Sequence, residues 1–285
     1  MTKILLRNES LQATFNQKGA ELISLTDADG REYIWEGNPE VWGKHAPVLF
    51  PIVGTLKNNS YVYQGSRYTM GRHGFARDRV FSVEMQSDDE VVFLLEDDEE
   101  TRAVYPFRFE FRIRYLLATS QLRVTFEVRN AGDGPLWFSV GGHPAFALPK
   151  PFESYAVAIS DPGMMGYRLL ENDLLSAETR TLHATSGSFA LDYKLFENDA
   201  LVFTSHSCKS MTIIEEGREL LTVSFPDFPH LGLWTKPGAS FLCIEPWQGY
   251  ADTTTASGKL EEKEGIIQLG TGNEYHASFS IQIHS

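Results

Sequence analysis

The sequence predicts an all-β fold, a large antiparallel β-sandwich formed by a single domain over residues 1–285. Three observations lead there: short runs of strict period-2 alternation, turn-forming clusters between them, and no segment long enough for an amphipathic helical stripe. Phe107, Phe109, Phe111, Ile113 and Tyr115 alternate with Arg108, Glu110, Arg112 and Arg114, the pattern of a strand with one face in water. Leu122, Val124, Phe126 and Val128 repeat it, and Ala118-Thr119-Ser120-Gln121 joins the two runs as a hairpin. Further short strands are expected at residues 32–35, 61–63, 80–85, 91–96, 201–204, 211–215, 220–225, 241–244 and 278–283, separated by clusters such as Asp27-Ala28-Asp29-Gly30. Helical composition is confined to 38–42 and 259–264. The acidic run Glu96-Asp97-Asp98-Glu99-Glu100 lacks the spaced Asp/Asn and Gly of a calcium loop and reads as a solvated turn.

Composition narrows the function. A 42% hydrophobic content is enough for a packed core, whereas 38 acidic against 25 basic residues give a net charge of -13 that repels nucleic acid. The start, Met1-Thr2-Lys3-Ile4-Leu5-Leu6-Arg7, has no signal-peptide core, and no run approaches the roughly 20 apolar residues of a membrane span. A cytoplasmic protein without a membrane partner is expected. Cys208 and Cys243 are too few for a disulfide framework or zinc cluster and read as buried thiols.

Four segments place polar groups among glycines, prolines and aromatics, where a locally consistent sequence tends to break its own rules. They are Phe50-Pro51-Ile52-Val53-Gly54-Thr55-Leu56-Lys57, Gly71-Arg72-His73-Gly74-Phe75-Ala76-Arg77-Asp78, Ser139-Val140-Gly141-Gly142-His143-Pro144-Ala145-Phe146 and Cys243-Ile244-Glu245-Pro246-Trp247-Gln248-Gly249. Glu245 follows an apolar run and precedes a proline that ends the strand, a setting that raises a carboxylate's pKa toward that of a usable base. His143, between glycines and a proline, has the side chain best suited to proton transfer near neutral pH. Taken singly, each residue also fits a structural role. A zinc set of His73, His143 and Glu245 has no supporting spacing and ranks below acid–base chemistry.

Together, in this order, Phe50-Pro51-Ile52-Val53-Gly54, His73-Gly74-Phe75-Ala76-Arg77-Asp78, Gly142-His143-Pro144-Ala145-Phe146 and Glu245-Pro246-Trp247 resemble the aldose 1-epimerase (mutarotase) family, most closely its bacterial LacX-like branch. The resemblance implies a galactose mutarotase-like supersandwich, a sugar or sugar phosphate as small-molecule partner, and no metal or organic cofactor. By motif it implies His143 as general acid, Glu245 as general base, and His73 as a histidine that hydrogen-bonds the sugar. Many relatives carry an arginine where this chain has Thr55. Alternation along an extended segment would put Lys57 on the same face as a substitute, without the planar fork of arginine. Asp199 is the candidate for the family's sugar-binding aspartate.

Mutarotation requires a proton taken from the hydroxyl on C1 and one given to the ring oxygen, which suits one acid and one base. Glycoside hydrolysis would want two carboxylates, and only Glu245 has the setting. Trp137, Phe146, Trp234 and Trp247 are candidates for an aromatic floor, Trp247 foremost for its closeness to Glu245. Three functions follow: an aldohexose 1-epimerase, a hexose-6-phosphate 1-epimerase whose dianion Lys57, Arg72, Arg77 and Lys236 would hold, and a non-catalytic sugar-binding protein on the same fold.

Overall fold

Two antiparallel sheets carry the architecture of the computed structural model, which describes residues 3–161 and 165–284. From edge to edge, the nine-stranded sheet runs Ser188–Ala190, Tyr155–Ile159, Ser210–Glu215, Arg218–Ser224, Glu274–Ile283, Gln121–Asn130, Phe109–Ala118, Glu90–Glu96 and Ser82–Gln86. The eight-stranded sheet runs Leu174–Leu182, Met165–Glu171, Leu201–Phe203, His230–Trp234, Phe241–Gln248, Val140–Gly142 and Val48–Leu49, with Ala145–Ala147 also paired to Phe241–Gln248. The expected all-β antiparallel class is therefore the observed one.

Alternation explains how the sheets meet. Phe109, Phe111, Ile113, Phe126 and Ile281 of the first sheet are buried in one cluster with Leu231, Leu233, Leu242 and Ile244 of the second. Fully burying an aliphatic or aromatic side chain contributes roughly 1.5–3 kcal/mol. The polar partners Glu84, Glu110, Arg112 and Arg129 form ion pairs on the opposite face of the large sheet. The predicted hairpin is present with Ala118 opposite Gln121, so Thr119-Ser120 is a two-residue loop and Thr119 takes positive φ (55°).

Several expectations need correction. The strand expected to stop at Ile244 continues through Pro246 to Gln248. On the flank where the partner changes from Ala145–Ala147 to Val140–Gly142, the registers leave Ile244, Glu245 and Pro246 without an opposite residue, so a proline breaks no ladder there. Residues 32–35 form isolated bridges through Glu32 and Ile34 instead of a strand. Residues 38–42 make a turn, in which the N–H groups of Val41 and Trp42 donate to the Asn38 carbonyl, and 259–264 contain only the 3-10 turn Leu260–Glu262. The N-terminal sheet of Lys3–Arg7, Leu11–Asn16 and Glu21–Asp27 escaped the sequence reading, although Leu11, Ala13 and Phe15 alternate into the core.

The acidic run is also more than a turn. The Asp98 side chain accepts from the Thr101 N–H (2.7 Å) and the Thr101 hydroxyl accepts from the Asp98 N–H (2.8 Å), a capping box that starts the helix Glu99–Val104. Carboxylates of the first turn also complement the helix dipole. Asp98→Ala is expected to lower stability by about 1 kcal/mol, read as a shift in the urea midpoint with an unchanged m-value.

Candidate active site

The outer face of the eight-stranded sheet carries the site. Along Phe241–Gln248, Leu242 and Ile244 point into the shared core, so Cys243, Glu245 and Trp247 point the other way. His230–Trp234 flanks this strand with Gly232 opposite Glu245. On its other flank the chain passes from Val140–Gly142 to Ala145–Ala147 through His143-Pro144, which delivers the imidazole beside the carboxylate. His143 Nε2 lies 3.2 Å from Glu245 Oε2. The atoms are in contact, yet the angles complete no hydrogen bond, and Glu245 Oε2, His143 Nδ1 and the Trp247 indole nitrogen all lack partners.

Glu245 is 1% exposed and His143 8%. Burial drives the Glu245 carboxyl well above the usual carboxylate range; the Arg72 guanidinium opposes the rise and the Asp199 charge adds to it. Burial pushes the His143 imidazole down, and Arg72 pushes it further. Both groups are thus biased toward their neutral forms.

His73 is held by a reciprocal pair: its N–H donates to the Gly54 carbonyl (2.8 Å), and its Nδ1 accepts from the Gly54 N–H (3.1 Å). This grip fixes a residue whose backbone is left-handed (φ 68°), a conformation that costs of order 1 kcal/mol. Burial, then the neighbouring His143 and Arg72, hold the His73 pKa well below its ordinary value. The His73 Nε2 is approached in turn by the Arg72 Nε–H (3.2 Å), so N–H groups of two neighbours face the two ring nitrogens.

These groups open on a cavity of about 260 Å³, and of the sequence candidates His73, Arg77, His143, Asp199, Glu245 and Trp247 line it. Lys57 does not. It lies in the 3-10 turn Lys57–Asn59, so the extended-chain alternation fails; its ammonium donates to the Ala256 carbonyl (3.3 Å) and its N–H to Asp252 Oδ2 (2.9 Å). Thr55 is buried behind the wall. Arg72 supplies a guanidinium to the cavity instead, bonded to Asp173 (3.0 Å) and 3.9 Å from Asp199. Lys236 also stays outside and donates to the Val41 carbonyl (3.0 Å). Of the four aromatic candidates, Trp234 and Trp247 face the cavity, whereas Phe146 is fully buried in the main core and Trp137 packs against it.

Trp42 and Asp173 are lining residues that sequence reasoning missed. Trp42 stacks on His143 (centroids 5.0 Å, 27°) and is held through its carbonyl, which accepts from the Trp35 indole (2.9 Å). A tryptophan in a stretch too short for a helix was the available signal. Trp247 depends on two neighbouring glycines: a Cβ at Gly232 would lie 2.5 Å from its ring, and one at Gly141 2.6 Å. Gly232→Ala is therefore expected to displace the indole, costing roughly 1–3 kcal/mol and shifting the tryptophan emission. An unchanged spectrum and melting curve would show that the strand yields instead.

The aldose 1-epimerase family model matches residues 2–268. Protein LacX of Lactococcus lactis subsp. lactis is 32% identical, the match covering 98% of this chain and 99% of LacX. Among solved structures, a galactose mutarotase related enzyme from Lactobacillus acidophilus is 37% identical with a TM-score of 0.95, covering 100% of this chain and 98% of that one. A galactose mutarotase-like protein from Lactobacillus casei is 27% identical with a TM-score of 0.93, covering 99% and 100%. The chain belongs to the aldose 1-epimerase family.

Proposed function

We propose that the protein is an aldose 1-epimerase that interconverts the α and β anomers of an unphosphorylated aldohexose. The observation that carries this reading is the buried pair His143 and Glu245, 3.2 Å apart and short of hydrogen-bond partners. The hydroxyl oxygen and the ring oxygen of a cyclic aldose are both bonded to C1, so the two proton transfers of ring opening occur side by side. An adjacent acid and base match that requirement. Glycosidase carboxylates stand farther apart, roughly 5–9.5 Å, and the other cavity carboxylates, Asp173 and Asp199, are turned to Arg72.

In this mechanism Glu245 takes the proton from the C1 hydroxyl and protonated His143 gives one to the ring oxygen. The C1–O bond to the ring breaks as the aldehyde forms. Rotation about C1–C2 presents the other face, and reversed proton flow closes the second anomer. Opening leaves Glu245 protonated and His143 neutral, the forms that burial favours, so the site stabilises the open-chain complex relative to the closed one. Arg72 counters this bias by favouring the carboxylate before reaction. The His73 imidazole, at the cavity wall, hydrogen-bonds a sugar oxygen.

The charge balance favours the neutral sugar over its 6-phosphate. Lys57 and Lys236 are committed to backbone carbonyls, Arg77 donates to the Arg72 carbonyl (2.7 Å) and lies 3.8 Å from Asp78, and Arg72 is shared with Asp173 and Asp199, two charges that repel a dianion. Polarimetry of freshly dissolved α-anomers, free and phosphorylated, tests this. Wild type is expected to accelerate the free sugar, and Glu245→Gln and His143→Ala each to lower kcat by roughly 10²–10⁴. A wild-type rate in Glu245→Gln would overturn the assignment of the base. Sugar binding without turnover in wild type would leave a binding protein.

A further inference from the structure

Cys243 has no part in the proton transfer and does not line the cavity, yet it lies two residues before Glu245 on the same face of the strand, fully buried among Trp35, Ala145, Ala239 and Phe241. One ligand atom each from His143, Cys243 and Glu245 falls within 4.8 Å of the others, and all three side chains are buried. His73 does not join them: its Nδ1 accepts the Gly54 N–H and its Nε2 the Arg72 Nε–H. A second observation points to a ligand: Glu245 is 1% exposed, and its Oε2 faces the imidazole without a hydrogen-bond partner.

From these we propose that Cys243 converts the His143–Glu245 pair into a three-donor site for a borderline-soft divalent cation of the zinc type, and that the bound ion shuts off the acid–base chemistry. The donor set of one nitrogen, one sulfur and one oxygen suits zinc or cobalt, while magnesium and calcium prefer oxygen alone. The cavity leaves the fourth position to water or a sugar hydroxyl. On binding, the thiol proton, and that of the carboxyl where present, pass to solvent, and the ion occupies the imidazole and carboxylate lone pairs that ring opening needs. The metal is an inhibitor in this scheme. Its inhibitory consequence rests on the mutarotase reading; the binding does not.

Cobalt(II) titration of the full chain reads binding without reference to activity, through the thiolate-to-cobalt charge-transfer band in the near ultraviolet. Wild type is expected to develop the band, and Cys243→Ala and Cys243→Ser to lack it. Zinc added to mutarotation assays should inhibit wild type. The variants should keep the metal-free rate and require at least roughly 10–100-fold more zinc, by comparison with the loss of an outer-shell metal partner. Two substitutions guard against one that fails to fold. No cobalt band in folded wild type, or equal zinc sensitivity in wild type and variants, would overturn the site. Full activity with zinc bound would overturn the inhibition. If wild type accelerates no aldose, the mutarotase reading fails and the cobalt band alone decides the metal site.

Discussion

Phe241–Gln248 has the hydrophobic core on one face and the cavity floor on the other, and a carboxylate within such a strand is cut off from bulk water. Burying an unpaired charge costs several kcal/mol, so the group either neutralises or finds compensation nearby. The surroundings of Glu245 supply compensation in part: an imidazole in contact and the guanidinium of Arg72 across the cavity. Burial outweighs both, and the carboxyl is biased toward its protonated form.

The wall opposite this strand is fixed by a different device. Lys263 is buried and donates to Asp252 Oδ1 (3.1 Å) and to the Tyr250 carbonyl, while Asp252 Oδ2 accepts the Lys57 N–H (2.9 Å) and the Asp252 N–H meets the Thr55 carbonyl (2.9 Å). A buried ion pair is tolerated when hydrogen bonds satisfy its remaining donors and acceptors, as they do here. The result is a rigid connection between the end of the central strand and the segment from Gly54 to Lys57. Gly54 in turn orients His73, so the imidazole at the cavity wall is positioned by backbone geometry.

Period-2 alternation made the hairpin at Phe109 and Gln121 legible, because each of its residues has one wet and one dry neighbour face. The central strand was read short, since its pattern is apolar on both faces and only Pro246 offered punctuation; the gap in pairing that accommodates the proline is a property of neighbouring strands. His143, Glu245 and His73 were legible through their motifs. Arg72 was named only as a phosphate ligand, and Lys57 was misplaced, because an extended conformation was assumed where the chain makes a tight turn. Asp173 carries no local signal: a turn aspartate becomes a cavity residue only through the pairing of Met165–Glu171 with Leu201–Phe203.

Glu245 sits on a strand in the middle of a sheet and His143 in the link between two short strands beside it, whereas Trp42, which stacks on the imidazole, belongs to a turn held from outside by Lys236 and Trp35. The two parts answer to different constraints. Changes in the turn, or in the lysine that tethers it, alter the cavity wall without touching the pairing of the strand that carries Glu245. The shape of the cavity can thus drift among descendants of this chain while its buried carboxylate stays in place, a division that lets one scaffold diversify in what it admits.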